Sequence, residues 1–378
     1  MFRHRLCSRQ DRTVIDTPLE PRALQSLLDR AAEEVETGAL PSCQLAIARD
    51  GELVHVATFG AATDASRYTV FSVTKALIGA AVWVMLGEEL LTAQTRIADV
   101  IPEFASNGKQ DVTVAQVMSH TGGFPRAPIR TEDGATTEGR LRRFASWRLD
   151  WAPGTQMEYH AVSAHWVLAQ LIENLTGRDY RTYTRSRILD PLGLRRLRLG
   201  VPLAEQGDIL DVVLTGEAPA EAPPVPVVAV DEMALGFNQA SAREVGVPGA
   251  GGVSDAADIA MLYQAMLHNP GGLWDPDVLV AGTSTVINRH LDPFTGVPAN
   301  RTLGLVVAGD DGNGVVREFG KATGPRAFGA SGLGGQVAWA DPDSGLSFCY
   351  LTNGLEINVI TSFLRSSRLS TLAARTAP

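Results

Sequence analysis

The chain has 378 residues, 45% hydrophobic and 20% charged, which suits one large domain or two lobes sharing a core. Its 33 Lys+Arg against 42 Asp+Glu leave a net charge of −9, which argues against the basic face that non-specific nucleic-acid binding needs. Three widely spaced cysteines (Cys7, Cys43, Cys349) give no disulfide framework and no zinc pattern, and the longest apolar run, Ala76 to Gly87, is too short for a bilayer. With basic residues but no apolar run at the start, no signal peptide is expected. The expectation is a cytoplasmic protein with no membrane or nucleic-acid partner.

Residues 1–18 read as a loose tail. Pro21 to Gly38 has apolar residues at helical spacing and a glycine stop. Two alternating runs flank Asp50-Gly51, the pattern of a β-hairpin. A buried helix follows, "YTVFSVTKALIGAAVWVMLGEELL", with Ser72 in its first turn. From Asp111 to about Gly200 the chain reads as helices and loops: "TVAQVMSHTGG" is a short helix ended by glycine, Ser163 to Gly177 an amphipathic one, and "RTYTRSRILDPLGL" another, broken by Pro191. The Pro/Ala-rich stretch Gly216 to Val230 predicts an extended surface loop. In Gly249 to Leu267 a glycine loop leads to Ser254 as N-cap and then a helix. Strands return in "RTLGLVVAG" and "GGQVAWADPDSGLSFCYLTNG", with a turn at Asp341 to Gly345, and Ile357 to Arg375 closes the chain as a helix.

Strands at both ends and helices between them predict an α+β fold, with an antiparallel sheet built from the two termini, covered by terminal helices, and an inserted helical lobe. The expected division is a tail (1–18), an α/β lobe (19–105 and 240–378) and a mainly helical lobe (106–239). A site would sit where the lobes meet.

Only three lysines occur, Lys75, Lys109 and Lys321. Lys75 stands in an apolar helix, where an ammonium pays for desolvation. Three residues before it on the same helical face is Ser72. Burial lowers a lysine's pKa, and a neutral amine beside a hydroxyl can activate it as a nucleophile. The helix N-terminus favours the oxyanion formed on attack. Local chemistry alone leaves this level with a helix-start serine and a snorkelling lysine. A second Ser-x-x-Lys, Ser106 to Lys109, falls in an Asn-Gly turn, where the lysine is expected to be merely solvated.

Six blocks in order resemble the serine β-lactamase and penicillin-binding-protein superfamily, in its class C branch with the family VIII carboxylesterases: "FSVTKALIG", "VTVAQVMSHTGG", "WAPGTQMEYHAVSAHWVLAQLIENLTG", "ILDPLGL", "GAGGVSDAADIAMLYQAML" and "FGASGLGGQVAWADPDSGLSFCYLTNG". The resemblance covers roughly residues 22–356. It implies that Ser72 is the acylated nucleophile, Lys75 its base and Tyr159 of "MEYHA" the proton relay, with the backbone N–H groups of Ser72 and Leu333 as oxyanion hole. It also places His160 and Ala330-Ser331-Gly332 at the substrate. Two positions depart from the family. Ala161 stands where asparagine is frequent, and Ala330 where Lys or His usually opens the third motif. Alanine can hold neither a β-lactam amide nor its carboxylate, so weak or absent β-lactamase activity is expected. A neutral ester needs no such clamp, and His160 or Ser331 could substitute.

Other chemistries fit less well. His160 and His165 are five apart, wrong for two ligands on one helix face, so no metal or other cofactor is expected. His120 reads as a structural histidine at a turn rather than a member of a Ser-His-Asp triad. "GASGLGG" is not a nucleophile elbow, and "GVPGAGGVSD" is a packing loop without a P-loop lysine. The expectation is a serine hydrolase, a carboxylesterase on small or medium esters. A D-peptidase, amidase or acyltransferase of the same fold stays open, as does a non-catalytic binding or sensor protein that keeps the fold. The partner is a small-molecule ester or amide; oligomeric state is left open.

Overall fold

The computed structural model describes residues 19–216 and 230–378. The expected tail and nearly all of the Pro/Ala-rich stretch lie outside the described residues.

A six-stranded sheet forms the centre, in the spatial order Glu52–Gly60, Ser42–Arg49, Leu346–Thr352, Gln336–Asp341, Phe328–Gly332 and Val306–Val307. Every neighbouring pair is antiparallel. The hairpin forms where Asp50 and Gly51 both take positive φ, 52° and 85°, the mirror-image turn that follows strand twist. Ser42–Arg49 then pairs Cys43 with Thr352 through Arg49 with Leu346, joining the two ends of the sequence. This is the antiparallel, two-termini sheet that the order of elements predicts.

Alternation along the strands gives the sheet two different faces. Leu45, Ile47, Trp339, Phe348 and Tyr350 face helices Pro21–Glu36 and Val359–Ala374. Arg365 of the last helix ties this layer together, bonding Glu34 at 2.8 Å and Glu356 at 3.4 Å. The opposite face presents Ala46, Ala48, Ala338 and Ala340. These small side chains let helix Ala256–His268 lie close across the central strands. Helix Thr74–Gly87, buried all round from Thr74 to Met85, sits in the same layer and also packs on helix Ser163–Thr176 of the helical region.

Several local expectations are corrected. Helix Ala256–His268 is capped by Asp255, whose carboxylate accepts the Asp258 N–H; Ser254, the expected cap, ends a short strand Gly252–Ser254 instead. Helix Val114–Met118 opens with a Thr113/Gln116 capping box and stops before the glycines, because His120 takes the left-handed conformation at φ 63°. In "RTLGLVVAG" only Val306–Val307 is strand. Val213–Thr215 pairs in parallel with Gly354–Glu356, which the antiparallel expectation did not include.

Lys109 is the sharpest correction. It is not solvated but 0% exposed. The Asn-Gly turn folds inward, and Nζ donates to the carbonyls of Ser106 (2.5 Å) and Trp147 (2.6 Å) and to Ser106 Oγ (3.2 Å). Burial, with the charge of Arg148, pushes its pKa down to about 8.

Candidate active site

Ser72 lies in a tight 3-10 turn, Phe71–Val73, just ahead of helix Thr74–Gly87. Phe71 holds a positive φ of 44°, a strained value for a bulky residue. Its ring is buried edge-on against Phe237, with centroids 5.8 Å apart, which pins the turn. The serine is thus presented where the strand Tyr68–Thr69 gives way to the helix.

One turn on, Lys75 is 4% exposed. Its Nζ is 3.0 Å from Ser72 Oγ and donates to the carbonyl of Gly249 at 2.6 Å. Burial lowers the pKa of this amine below the ordinary lysine value; Tyr159 opposes the shift and the charge of Arg301 adds to it. The amine is therefore biased toward the neutral, proton-accepting form.

Tyr159 completes a triangle. Lys75 Nζ sits 4.9 Å from its ring centroid, and its hydroxyl faces Lys75 and Ser72. Burial works against its ionisation, but the charges of Lys75 and Arg301 and the polar groups of Lys75 and Ser72 outweigh it. The phenol is held below the usual tyrosine range. A hydroxyl, an amine and an acidified phenol in mutual contact can take a proton from the serine and return it elsewhere.

The histidines are supports. His120 packs against Tyr159 with centroids 4.7 Å apart and the rings tilted by 51°, and its Nδ1 accepts the backbone N–H of His160 at 3.1 Å, which fixes the segment carrying the tyrosine. His160 is fully buried. Its Nδ1 donates to the carbonyl of Glu158 (2.7 Å) and its Nε2 accepts the N–H of Phe124 (3.0 Å), so both ring nitrogens are taken. Burial pushes its pKa down to about 4. It packs behind Tyr159 and has nothing left to offer a ligand.

On the far side, strand Phe328–Gly332 ends against the serine turn. A Cβ on Gly332 would stand 2.9 Å from the carbonyl of Val70, so only glycine allows this approach. It brings Leu333 to the neighbourhood of Ser72. Ala330 supplies no polar group. Ser331 faces Glu318, whose carboxyl accepts from Ser366 Oγ and is pushed up in pKa by burial.

Two groups escape the sequence reading. Gly249 is one: besides taking the Lys75 bond, it leaves no room for a side chain, since a Cβ would stand 3.2 Å from the Ala161 carbonyl and 3.5 Å from Lys75 Nζ. Arg301 is the other, its guanidinium 5.0 Å from the centroid of the Tyr159 ring. Nothing in "RTLGLVVAG" marked that arginine apart from the strand it precedes.

Comparison with known proteins bears on the family and the fold. The family model described as Beta-lactamase matches residues 27–369. Among curated proteins, the chain is 27% identical over 314 residues to "Esterase/beta-lactamase LipL" of Mycobacterium tuberculosis, covering 76% of this chain and 69% of that one. A penicillin-binding-protein homolog from Caulobacter crescentus superposes with a TM-score of 0.78 at 26% identity, over 94% of this chain and 98% of the other. A family VIII carboxylesterase shares the fold with a TM-score of 0.76 at 23% identity, over 94% and 99% of the two chains.

Proposed function

This chain belongs to the beta-lactamase family and is a serine hydrolase of that fold; from that premise we propose that it is a carboxylesterase working through an acyl-enzyme on Ser72. The observation that carries the reading is the buried amine of Lys75, its pKa lowered by burial, at 3.0 Å from Ser72 Oγ.

Lys75 Nζ takes the hydroxyl proton as Oγ bonds to the ester carbonyl carbon. The carbonyl electron pair moves onto oxygen and is met by the N–H groups of Ser72 and Leu333. When the pair returns, the bond to the alcohol oxygen breaks, and that oxygen receives the proton through Tyr159. Water then adds to the acyl-serine, giving its proton to the same amine–phenol pair, and Ser72 leaves with a proton while the acid is released. An ester is favoured over a β-lactam because Ala161 lacks the polar group that would grip a lactam amide. The name of the mycobacterial relative, which carries both esterase and beta-lactamase, includes this substrate class.

The test is hydrolysis of 4-nitrophenyl acetate and butyrate by wild type and Ser72→Ala. Turnover by the first alone, with a phosphonate adduct on Ser72, is the expected result. No turnover and no adduct would leave a binding protein that keeps the fold.

A further inference from the structure

We infer that Arg301 is the anion-recognising residue of this site, and that the ester it serves carries a carboxylate which pairs with the Arg301 guanidinium. This rests on the esterase reading and names its substrate class.

Three observations carry it. First, the guanidinium stands against the ring of Tyr159, the same ring that Lys75 Nζ approaches, so it borders the reacting atoms. Second, it has no hydrogen-bond or ion-pair partner among the described residues: its Nε is buried without a hydrogen bond, and no described carboxylate pairs with the side chain. Asp292 exerts a field on it but is not bonded to it. The four most buried arginines among the described residues are all paired: Arg67 with Asp208, Arg140 with Glu173, Arg243 with Asp211, and Arg365 with Glu34. Tyr159, once ionised, also exerts a field on Arg301; a half-buried guanidinium with no bonded carboxylate among the described residues is positioned to take one from a ligand.

Third, its backbone is fixed in place. Arg301 N donates to the Asn288 carbonyl at 3.0 Å, and its own carbonyl accepts from Ile287 and Asn288 at 2.9 and 3.1 Å. Asn288 is itself 2% exposed and donates from Nδ2 to the carbonyl of Ser119 at 2.8 Å, beside His120. A cation anchored on both sides, with unused donors, is a prepared receptor for a planar anion, which arginine binds through two parallel hydrogen bonds. The third motif carries no cation because Ala330 opens it; here the positive charge arrives from a different segment.

The test compares matched esters: methyl hydrogen glutarate against methyl pentanoate for a carboxylate on the acyl part, and 4-acetoxybenzoate against its methyl ester for one on the alcohol part. Wild type is expected to prefer the anionic member of at least one pair in kcat/KM. Arg301→Met should reduce that preference by about tenfold or more, the loss of a charge-assisted pair, and Arg301→Lys should restore part of it. Equal losses on both members, or no preference in wild type, would overturn the inference. If no ester of any kind is turned over, the esterase reading fails instead. Glutarate alone then still tests the arginine: a rise in Tm in wild type but not in Arg301→Met supports it, and equal behaviour of the two overturns it.

Discussion

Lys75 Nζ donates to the carbonyl of Gly249 at 2.6 Å, across 174 residues of sequence. That bond aims the amine at Ser72 and holds it away from water. A side chain at 249 would press on the Ala161 carbonyl, on His165 Cβ at 3.3 Å and on Lys75 Nζ. Gly249→Val should therefore misplace the amine. We expect kcat/KM on a neutral aryl ester to fall on the order of 100-fold, the usual penalty for a misplacement of about 1 Å, while circular dichroism stays native. Unchanged kinetics in a folded variant would show that the bond does not position the base.

The pH profile follows from the buried pair. The reactive form has Lys75 neutral, and burial lowers its pKa. Activity should rise through an acid limb whose apparent pKa lies below the ordinary lysine value of about 10.4 and belongs to Lys75 and Tyr159 jointly. The charge of Arg301 pushes both groups down; His120 and His165, themselves depressed by burial, stay neutral. Arg301→Met removes that charge, so the limb should move to higher pH on a neutral ester. A limb that moves down, or does not move, contradicts this electrostatic arrangement.

Glu318 makes a stability prediction. Burial raises its pKa, so the folded state holds a proton that the unfolded chain has lost above about 4.3. Its contribution is complete below that value and is lost as pH rises through the folded-state pKa. Glu318→Gln keeps an acceptor for Ser366 and removes the titration. Thermal melts from pH 4 to 8 should show wild type losing stability relative to the variant as pH rises. Parallel curves would mean that the carboxyl is not held protonated.

Lys109 separates the two Ser-x-x-Lys sequences. Replacing it with methionine removes charge-assisted hydrogen bonds to the carbonyls of Ser106 and Trp147, which keep only the Lys109 backbone N–H and the Asn107 amide, at a cost of about 1–3 kcal/mol. Esterase kcat/KM should stay within about twofold while Tm falls. A loss of turnover as large as that of Lys75→Met would mean that the second pair takes part in the chemistry.

Much of this was legible beforehand. The runs around Asp50-Gly51 and the strands flanking the Asp341–Gly345 turn are short apolar stretches bounded by turn residues, and they pointed to the sheet and its two-ended origin, although the central strands prove buried on both faces. Ser72, Lys75 and Tyr159 were picked out by the six-block resemblance, since local chemistry alone left the serine and lysine level with a structural pair, and the fold brings the three together. What was not legible depends on contacts between distant segments. The two lysines were separated by the polarity of their neighbours, yet both are buried. What differs is the company at the end of the chain: Lys109 meets two carbonyls and a hydroxyl that satisfy its protons, whereas Lys75 meets one carbonyl, a hydroxyl it can deprotonate and a phenol. Gly249 looked like packing because a carbonyl's acceptor role has no sequence signature. Arg301 drew no notice within an expected strand because no local pattern announces which arginine will lack an acid. His160, next to the tyrosine in sequence, points its nitrogens into backbone groups instead.

The central claim is that the neutral amine of Lys75 activates Ser72 for acylation. Intact-protein mass spectrometry after brief exposure to a slowly deacylating aryl ester tests it most directly. One acyl group mapping to Ser72 in wild type, with labelling slowed about 100-fold or more in Lys75→Met, is the result expected for loss of a general base. Acylation at another residue, or labelling of Ser72 at an undiminished rate without the amine, would contradict it.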